Sequence, residues 1–216
     1  MTVQIVPLFP LGVVLFPQTR LPLHVFEPRY QALVRDCLGD GIPFGVVAIR
    51  QGSDAATSCY EVGTVAHIEK VVRLSRGRSN LIVAGGNRFR TVRQLEGRPY
   101  LRAEIEQLEE PSVPPHPAGR LATAQLQASY QRYRDSLTRM GVRIPEFSAL
   151  PREPGALSWA IGGHLVVELH AKQRLLEEPS HLARIEAEMA LLRREATMLD
   201  LQLANRLVRA PTYSLN

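Results

Sequence analysis

The sequence predicts an α+β fold in which a β-rich barrel or folded sheet comes first and a bundle of helices second. Three observations carry this expectation. Short runs rich in Val and Ile, divided by Gly and Pro, fill the first half. The stretch from Glu109 to Gly119 holds Pro111, Pro114, Pro115 and Pro117, too many for a strand or helix to continue, because proline lacks the amide donor and fixes its backbone angle. Beyond it the apolar period changes from about 2 to about 3.6. The expected division is therefore 1–110 for the β-rich part and 118–216 for the helical part.

Expected strands are Gln4 to Phe9, Val13 to Phe16, Leu21 to Val25, Phe44 to Ile49, Gly63 to Leu74, Asn80 to Ala84, Arg88 to Leu95 and Leu101 to Leu108. Gly85-Gly86 reads as a turn between two of them, because glycine supplies positive backbone angles. One helix interrupts the strands: Pro28 suits a first helical position, Tyr30, Leu33, Val34, Cys37 and Leu38 recur at helical spacing, and Gly39 stands where a left-handed cap is wanted. In the second half Leu126, Tyr130, Tyr133, Leu137 and Met140 form one stripe, which Gly141 ends. Leu157, Ile161, Leu165 and Leu169 form another after Pro154. Ser180 caps a long last helix whose Leu182, Ile185, Met189, Leu192, Ala196, Leu199 and Leu203 alternate spacings of 3 and 4. From His181 to about Arg209 it measures roughly 43 Å. Packing of that seam on the two preceding helices is favoured over an intermolecular coiled coil.

With 45% hydrophobic and 22% charged residues among 216, the chain has the composition of a soluble globular protein. No basic region followed by a long apolar run opens it, and no stretch approaches the roughly 18 apolar residues of a membrane helix, so a cytoplasmic protein without a membrane partner is expected. Two cysteines are too few for a four-cysteine zinc site, and Cys37 falls in an apolar helical pattern that suits a buried thiol.

Catalytic constellations are missing from the sequence. A phosphate-binding loop needs Gly-Lys-Ser/Thr, and neither lysine, Lys70 or Lys172, follows a glycine. Both read as surface charges. His164 and His170 are six residues apart, which separates them around a helix, and His164 with Glu168 falls short of a ligand set. No catalytic residue, metal or cofactor is expected, and the chain is expected not to be an enzyme.

The net charge of +5 is carried almost wholly by arginine. Arg73, Arg76, Arg78, Arg88, Arg90, Arg93, Arg98 and Arg102 fall close together, and with Phe89 and Tyr100 between them they could neutralise phosphates and stack on bases. Strand alternation explains them more simply, with Arg88 and Arg90 flanking Phe89 on a solvated face. Nucleic acid is thus the second reading.

Read together, Val6-Pro-Leu-Phe-Pro-Leu11, Val14-Leu-Phe-Pro17, Leu21-Pro-Leu-His-Val-Phe-Glu-Pro-Arg-Tyr30, Phe44-Gly-Val-Val47, Val62-Gly-Thr-Val-Ala-His-Ile68 and Gly85-Gly-Asn-Arg-Phe89 form an ordered series. In order and spacing they resemble the N-terminal domain of Lon ATP-dependent proteases. Tyr100-Leu-Arg-Ala-Glu-Ile105 and Lys172-Gln-Arg-Leu-Leu-Glu177 continue the match.

The resemblance implies a PUA-like β-rich barrel followed by a helical bundle with a long terminal helix. It also implies recognition of unfolded or tagged polypeptide, in concert with a protease or ATPase partner. The ATPase and peptidase modules of those proteases are not found in these residues, so a free-standing, non-catalytic adaptor or regulator is expected. Most of the motif residues read as core, with Pro10, Pro17 and Pro22 as strand breakers. The Phe26-Glu-Pro-Arg-Tyr30 junction gathers two aromatics and two charges at a strand-to-helix corner. The candidate binding residues are therefore Phe26, Glu27, Arg29 and Tyr30, bordered by Phe89.

Overall fold

A computed structural model describes residues 3–50, 58–110, 117–142 and 150–209. Most of the proline-rich boundary, residues 111–116, lies outside the described residues. The elements in order are β1 (Val3–Leu11), β2 (Arg20–Val25), α1 (Pro28–Asp40), β3 (Phe44–Ala48), β4 (Val62–Arg73), β5 (Ser79–Leu95), β6 (Arg102–Leu108), α2 (Pro117–Arg139), α3 (Pro154–His164), α4 (Leu169–Glu177) and α5 (His181–Arg209). The chain divides into two compact units, 1–112 with 159–179 and 113–158 with 180–216. The expected helical part 118–216 is thus not one piece, since the end of α3 and all of α4 belong with the strands.

In the first unit β5, β4, β3, β1 and β6 pair in that order, and β6 pairs back onto β5, which closes a barrel. Closure gives each of the five strands a neighbour on both sides. β2 adds to the first part of β5, from Arg20 opposite Ala84 to Val25 opposite Ser79. Only β1 and β3 run parallel. Two prolines expected to break strands, Pro10 and Pro22, lie inside them instead, and so does Pro7. Each stands where the strand has a ladder partner on one side only: β1 meets β6 from Val3 to Pro7 and β3 from Leu8 to Leu11, and β2 meets β5 alone. A missing amide can then face away from the ladder.

β5 is a single 17-residue strand, and Gly85-Gly86 is not a turn. A Cβ on Gly85 would collide with the Phe16 carbonyl oxygen, so glycine is needed for close backbone approach. Gly45 and Gly63 serve the ring of Phe89 in the same way, since a Cβ on either would come within 2.6 or 2.7 Å of its Cζ. Phe89, with Val6, Leu8, Val47, Val65, Ala103 and Ile105, makes one apolar cluster. A second cluster forms where Tyr30, Leu33, Val34 and Cys37 of α1 meet Phe9, Leu23, Val25, Phe44 and Leu81. Val13 to Phe16, expected as a strand, is irregular, and the α1 cap is Gly41 at φ 65° rather than Gly39.

In the second unit α2 packs on α5, with Leu126, Tyr130, Tyr133 and Leu137 of α2 and Ile185 and Leu192 of α5 buried. Ser136 and Arg139 both donate to Asp200 at 3.0 Å. Ser180 accepts from the Ala183 amide at 3.3 Å, as an N-cap does. Toward the end of α5 the seam residues Leu199 and Leu203 are half-buried, while Met198 and Leu201 beside them are exposed. The stripe from Leu157 to Leu169 is not one helix: it breaks after His164, whose Nδ1 lies 2.8 Å from the Ala160 carbonyl oxygen. His164 and Glu168 therefore share no helix face.

Candidate functional site

The strand-to-helix corner is built by the end of β2 and the start of α1. Pro28 occupies the first helical turn, where its missing amide costs nothing, and the Glu27 carbonyl accepts from the Tyr30 and Gln31 amides at 3.0 and 2.9 Å. Phe26 follows the end of β2 and is 58% exposed, and its ring stacks on His24 with centroids 5.8 Å apart. Gln31 Nε2 donates to the Phe26 carbonyl at 2.9 Å, which fixes the backbone beneath the ring.

The charges of the corner are paired. Arg29 Nη2 lies 2.8 Å from Glu27 Oε2, and the Arg29 guanidinium sits over the Tyr30 ring at 4.6 Å. Tyr30 itself is buried, stacked on Phe9 at 4.1 Å and 14°. Burial pushes its hydroxyl pKa up, with the Arg29 charge acting against that shift and Glu27 and Cys59 adding to it. Phe89 has no exposed surface and belongs to the other apolar cluster, so it does not border the corner. The exposed part of the candidate set is Phe26 with the Glu27–Arg29 pair, and Tyr30 is the wedge that holds them.

A cleft of about 240 Å³ adjoins Arg29 and Tyr30 and runs to Leu95, Arg98 and Tyr100. Tyr100 donates to Asp36 at 2.7 Å, and burial followed by that bond pushes its pKa up to about 12. Arg98 pairs with the same carboxylate at 3.4 Å.

The arginine cluster is dispersed. Arg93 pairs with Glu104 at 2.6 Å and Arg90 is exposed. Arg88, expected on a solvated face, is 2% exposed: it donates to the Leu176 and Glu178 carbonyls at 2.8 and 3.1 Å and pairs with Glu110 at 2.7 Å. Its guanidinium also faces the Trp159 ring at 5.3 Å. Desolvation lowers its pKa against the pull of Glu110 and Glu178. Nothing local in the sequence marks Arg88 as different, because the carbonyls that enclose it lie some ninety residues downstream. Lys172 likewise is not a surface charge: Nζ donates to the Gly163 carbonyl at 3.0 Å, and burial lowers its pKa.

The cysteines are both free, and burial with the Asp36 and Asp40 charges pushes Cys37 up to about 12. Among the described residues no three His, Cys, Asp or Glu side chains gather as metal ligands, and no helix is long and apolar enough to cross a membrane.

The ordered motifs therefore reduce to a closed barrel, its glycine contacts and an exposed aromatic corner. Residues 5–194 match the family described as the ATP-dependent protease La (LON) substrate-binding domain. The chain belongs to this family. It is 29% identical over 201 residues to the Lon protease of Anaeromyxobacter dehalogenans, an alignment covering 91% of this chain and 24% of that protein. It is 32% identical over 212 residues to Lon protease 2 of Sorangium cellulosum, covering 90% of this chain and 25% of that protein. The chain thus spans about a quarter of the length of the curated relatives it matches.

A solved Lon N-terminal domain protein from Xanthomonas campestris superposes with a TM-score of 0.66 at 27% identity, covering 87% of this chain and 98% of that one. The N-terminal domain of the Mycobacterium avium complex Lon protease shares the fold, with a TM-score of 0.65 at 17% identity and coverage of 88% and 98%. The LON substrate-binding family, with its α+β fold, makes this chain a module of the substrate-recognition type.

Proposed function

We propose that the chain is a non-catalytic polypeptide-binding module of the cytoplasm, an adaptor or regulator that presents unfolded or tagged chains to a protease or ATPase partner. Membership of the LON substrate-binding family carries this reading. The corner supports it: unfolded chains offer apolar side chains and unpaired backbone groups, and Phe26 supplies exposed aromatic area next to the Arg29–Glu27 pair. Arg29 can exchange Glu27 for a carboxylate or carbonyl of the bound chain. Affinity is expected to be roughly micromolar, because a flexible partner loses conformational entropy on binding. The nucleic-acid reading is weakened because Arg88 is buried and Arg93 and Arg98 are paired with carboxylates.

The test is titration of labelled, reduced and carboxymethylated α-lactalbumin against wild type and a Phe26→Ala, Arg29→Ala double variant. Tyr30 is left intact because its ring is core. At least a fivefold loss of affinity with an unchanged melting curve is expected. Equal affinity in the folded variant would move the site away from the corner, and no binding by wild type would sink the reading.

A further inference from the structure

A second surface on the first unit has the features of a built binding groove. It lies between α1 and the β4–β5 hairpin and has a volume of about 540 Å³. That is within the range of sites that take small ligands or a few side chains of a peptide. Val34, Leu38, Val71 and Leu74 give it an apolar floor, and Leu38 and Leu74 keep 42% and 37% of their surface exposed. Arg35, Arg73 and Arg78 stand around it.

What sets the groove apart is that uncompensated arginines gather there. Several exposed arginines elsewhere on the barrel are neutralised, Arg20 by Glu69 at 2.7 Å, Arg93 by Glu104 at 2.6 Å and Arg98 by Asp36 at 3.4 Å, while Arg90 stands apart on β5. Among the described residues Arg73 and Arg76 have no ion pair. Arg78 spends its guanidinium on the Ser75 carbonyl and hydroxyl at 3.3 and 3.2 Å, which leaves its charge uncompensated. Arg35 meets only its chain neighbour Asp36, at 3.9 Å, a carboxylate already shared with Arg98 and Tyr100.

The hairpin that carries the charges is also built at a cost. Arg76 and Gly77 take the left-handed angles of φ 59° and φ 73° that a tight hairpin turn requires, a place where Asn or Gly fits without strain. An arginine there adds a fourth positive charge at the tip.

We propose that this groove binds an extended polypeptide segment in which one or two bulky apolar side chains are flanked by carboxylates. The floor removes the apolar side chains from water, and the arginines form charge-assisted, two-pronged hydrogen bonds with the flanking carboxylates. A purely apolar segment would leave the cations uncompensated. A phosphate backbone would satisfy the cations but leave the floor wet. Gln31, which lines the groove, donates to the Phe26 carbonyl at 2.9 Å and so links it to the aromatic corner. The inference rests on the polypeptide-binding reading and names the class of segment that this part of the surface selects.

The experiment measures fluorescence anisotropy of the whole chain with three labelled twelve-residue peptides: Leu-Phe flanked by Glu and Asp, the same centre flanked by Lys, and Ser-Ser flanked by Glu and Asp. A twelve-residue oligouridine and carboxymethylated α-lactalbumin complete the set. The first peptide is expected to bind at least tenfold tighter than the other two and to weaken several-fold between about 50 and 500 mM salt, as exposed ion pairs are screened. Arg73→Glu with Arg78→Glu should cost it at least tenfold and should improve binding of the Lys-flanked peptide. Arg73→Gln with Arg78→Gln should give an intermediate loss without any change of sign, and Leu74→Ser should weaken the first peptide alone.

Equal binding of the acidic and basic peptides, or no response to either arginine pair, overturns the groove proposal even when α-lactalbumin still binds. Failure of α-lactalbumin to bind while the acidic peptide binds overturns the general reading and leaves the groove. Tighter binding of oligouridine than of the acidic peptide, lost in the same variants, would overturn the proposal in favour of nucleic acid.

Discussion

Two stretches of neighbouring sequence use arginine in opposite ways. At Arg88 and Phe89 the chain is covered on both sides: Phe89 fills the barrel interior, and Arg88 on the other face is enclosed by the end of α4 and Trp159, with three oxygen partners. From Leu74 to Arg78 the hairpin is open, and among the described residues no carboxylate pairs with Arg76 or Arg78. The difference teaches that position in the ladder decides what a cation does. Where a second layer of the fold supplies carbonyls, arginine is a fastener, and where none arrives it remains available to a partner.

The largest effect that could break this contrast is at Arg88. Replacing it with Ala strands two buried carbonyls and the space beside Trp159, so a loss of about 3–5 kcal/mol is expected, the usual range for breaking a buried, hydrogen-bonded charge. Chemical denaturation would measure it. A loss below about 1 kcal/mol would mean that Arg88 is as dispensable as the hairpin arginines.

A smaller effect concerns α1, which walls the open groove on its outer side and joins the core on its inner side through Cys37. The Cys37 thiol is held up at about 12, above its ordinary value of 9.0. A raised folded-state pKa means that its contribution is complete below about 9 and is lost as pH rises from there toward 12, by up to about 1.4 kcal/mol per pH unit. Denaturation midpoints at pH 8 and pH 10.5 should therefore fall less steeply in Cys37→Ala than in wild type. Parallel lines in the two proteins would show that α1 is not anchored there.

The smallest effect is at the hairpin tip. Arg76→Asn should stabilise the protein by about 0.5 kcal/mol, since Asn tolerates the left-handed angles that cost a longer side chain more. No gain on melting would mean that the turn is not strained by Arg76.

Much of the architecture was legible in the sequence. Period-2 and period-3.6 runs located β1, β2, β6, α1, α2 and α5, because each buries one face, while β3 and the start of β4, buried throughout, were marked by short apolar runs instead. Gly85-Gly86 misled because glycine serves turns and close backbone approach alike, and only the position of the Phe16 carbonyl distinguishes the two. The break after His164 was hidden by an apolar stripe that runs across it. At the corner, the strand-to-helix junction and the Glu27–Arg29 pair could be read from adjacent residues. The burial of Tyr30 on Phe9 and of Phe89 beneath Gly45 and Gly63 could not, since those partners are distant in sequence. The basic groove was also out of reach, because α1 and the hairpin come together only in the folded barrel.

The pairing of Arg88 with the Glu178 carbonyl also sets a clock on synthesis. Ninety residues separate the two, so the strands and the Glu110 carboxylate are made well before the carbonyls that enclose the guanidinium. At about 5–20 residues per second the ribosome needs roughly 5 to 20 seconds to pass from Arg88 to those acceptors. Until they arrive Glu110 is the one of its three oxygen partners within reach, and the fastener of the barrel closes last.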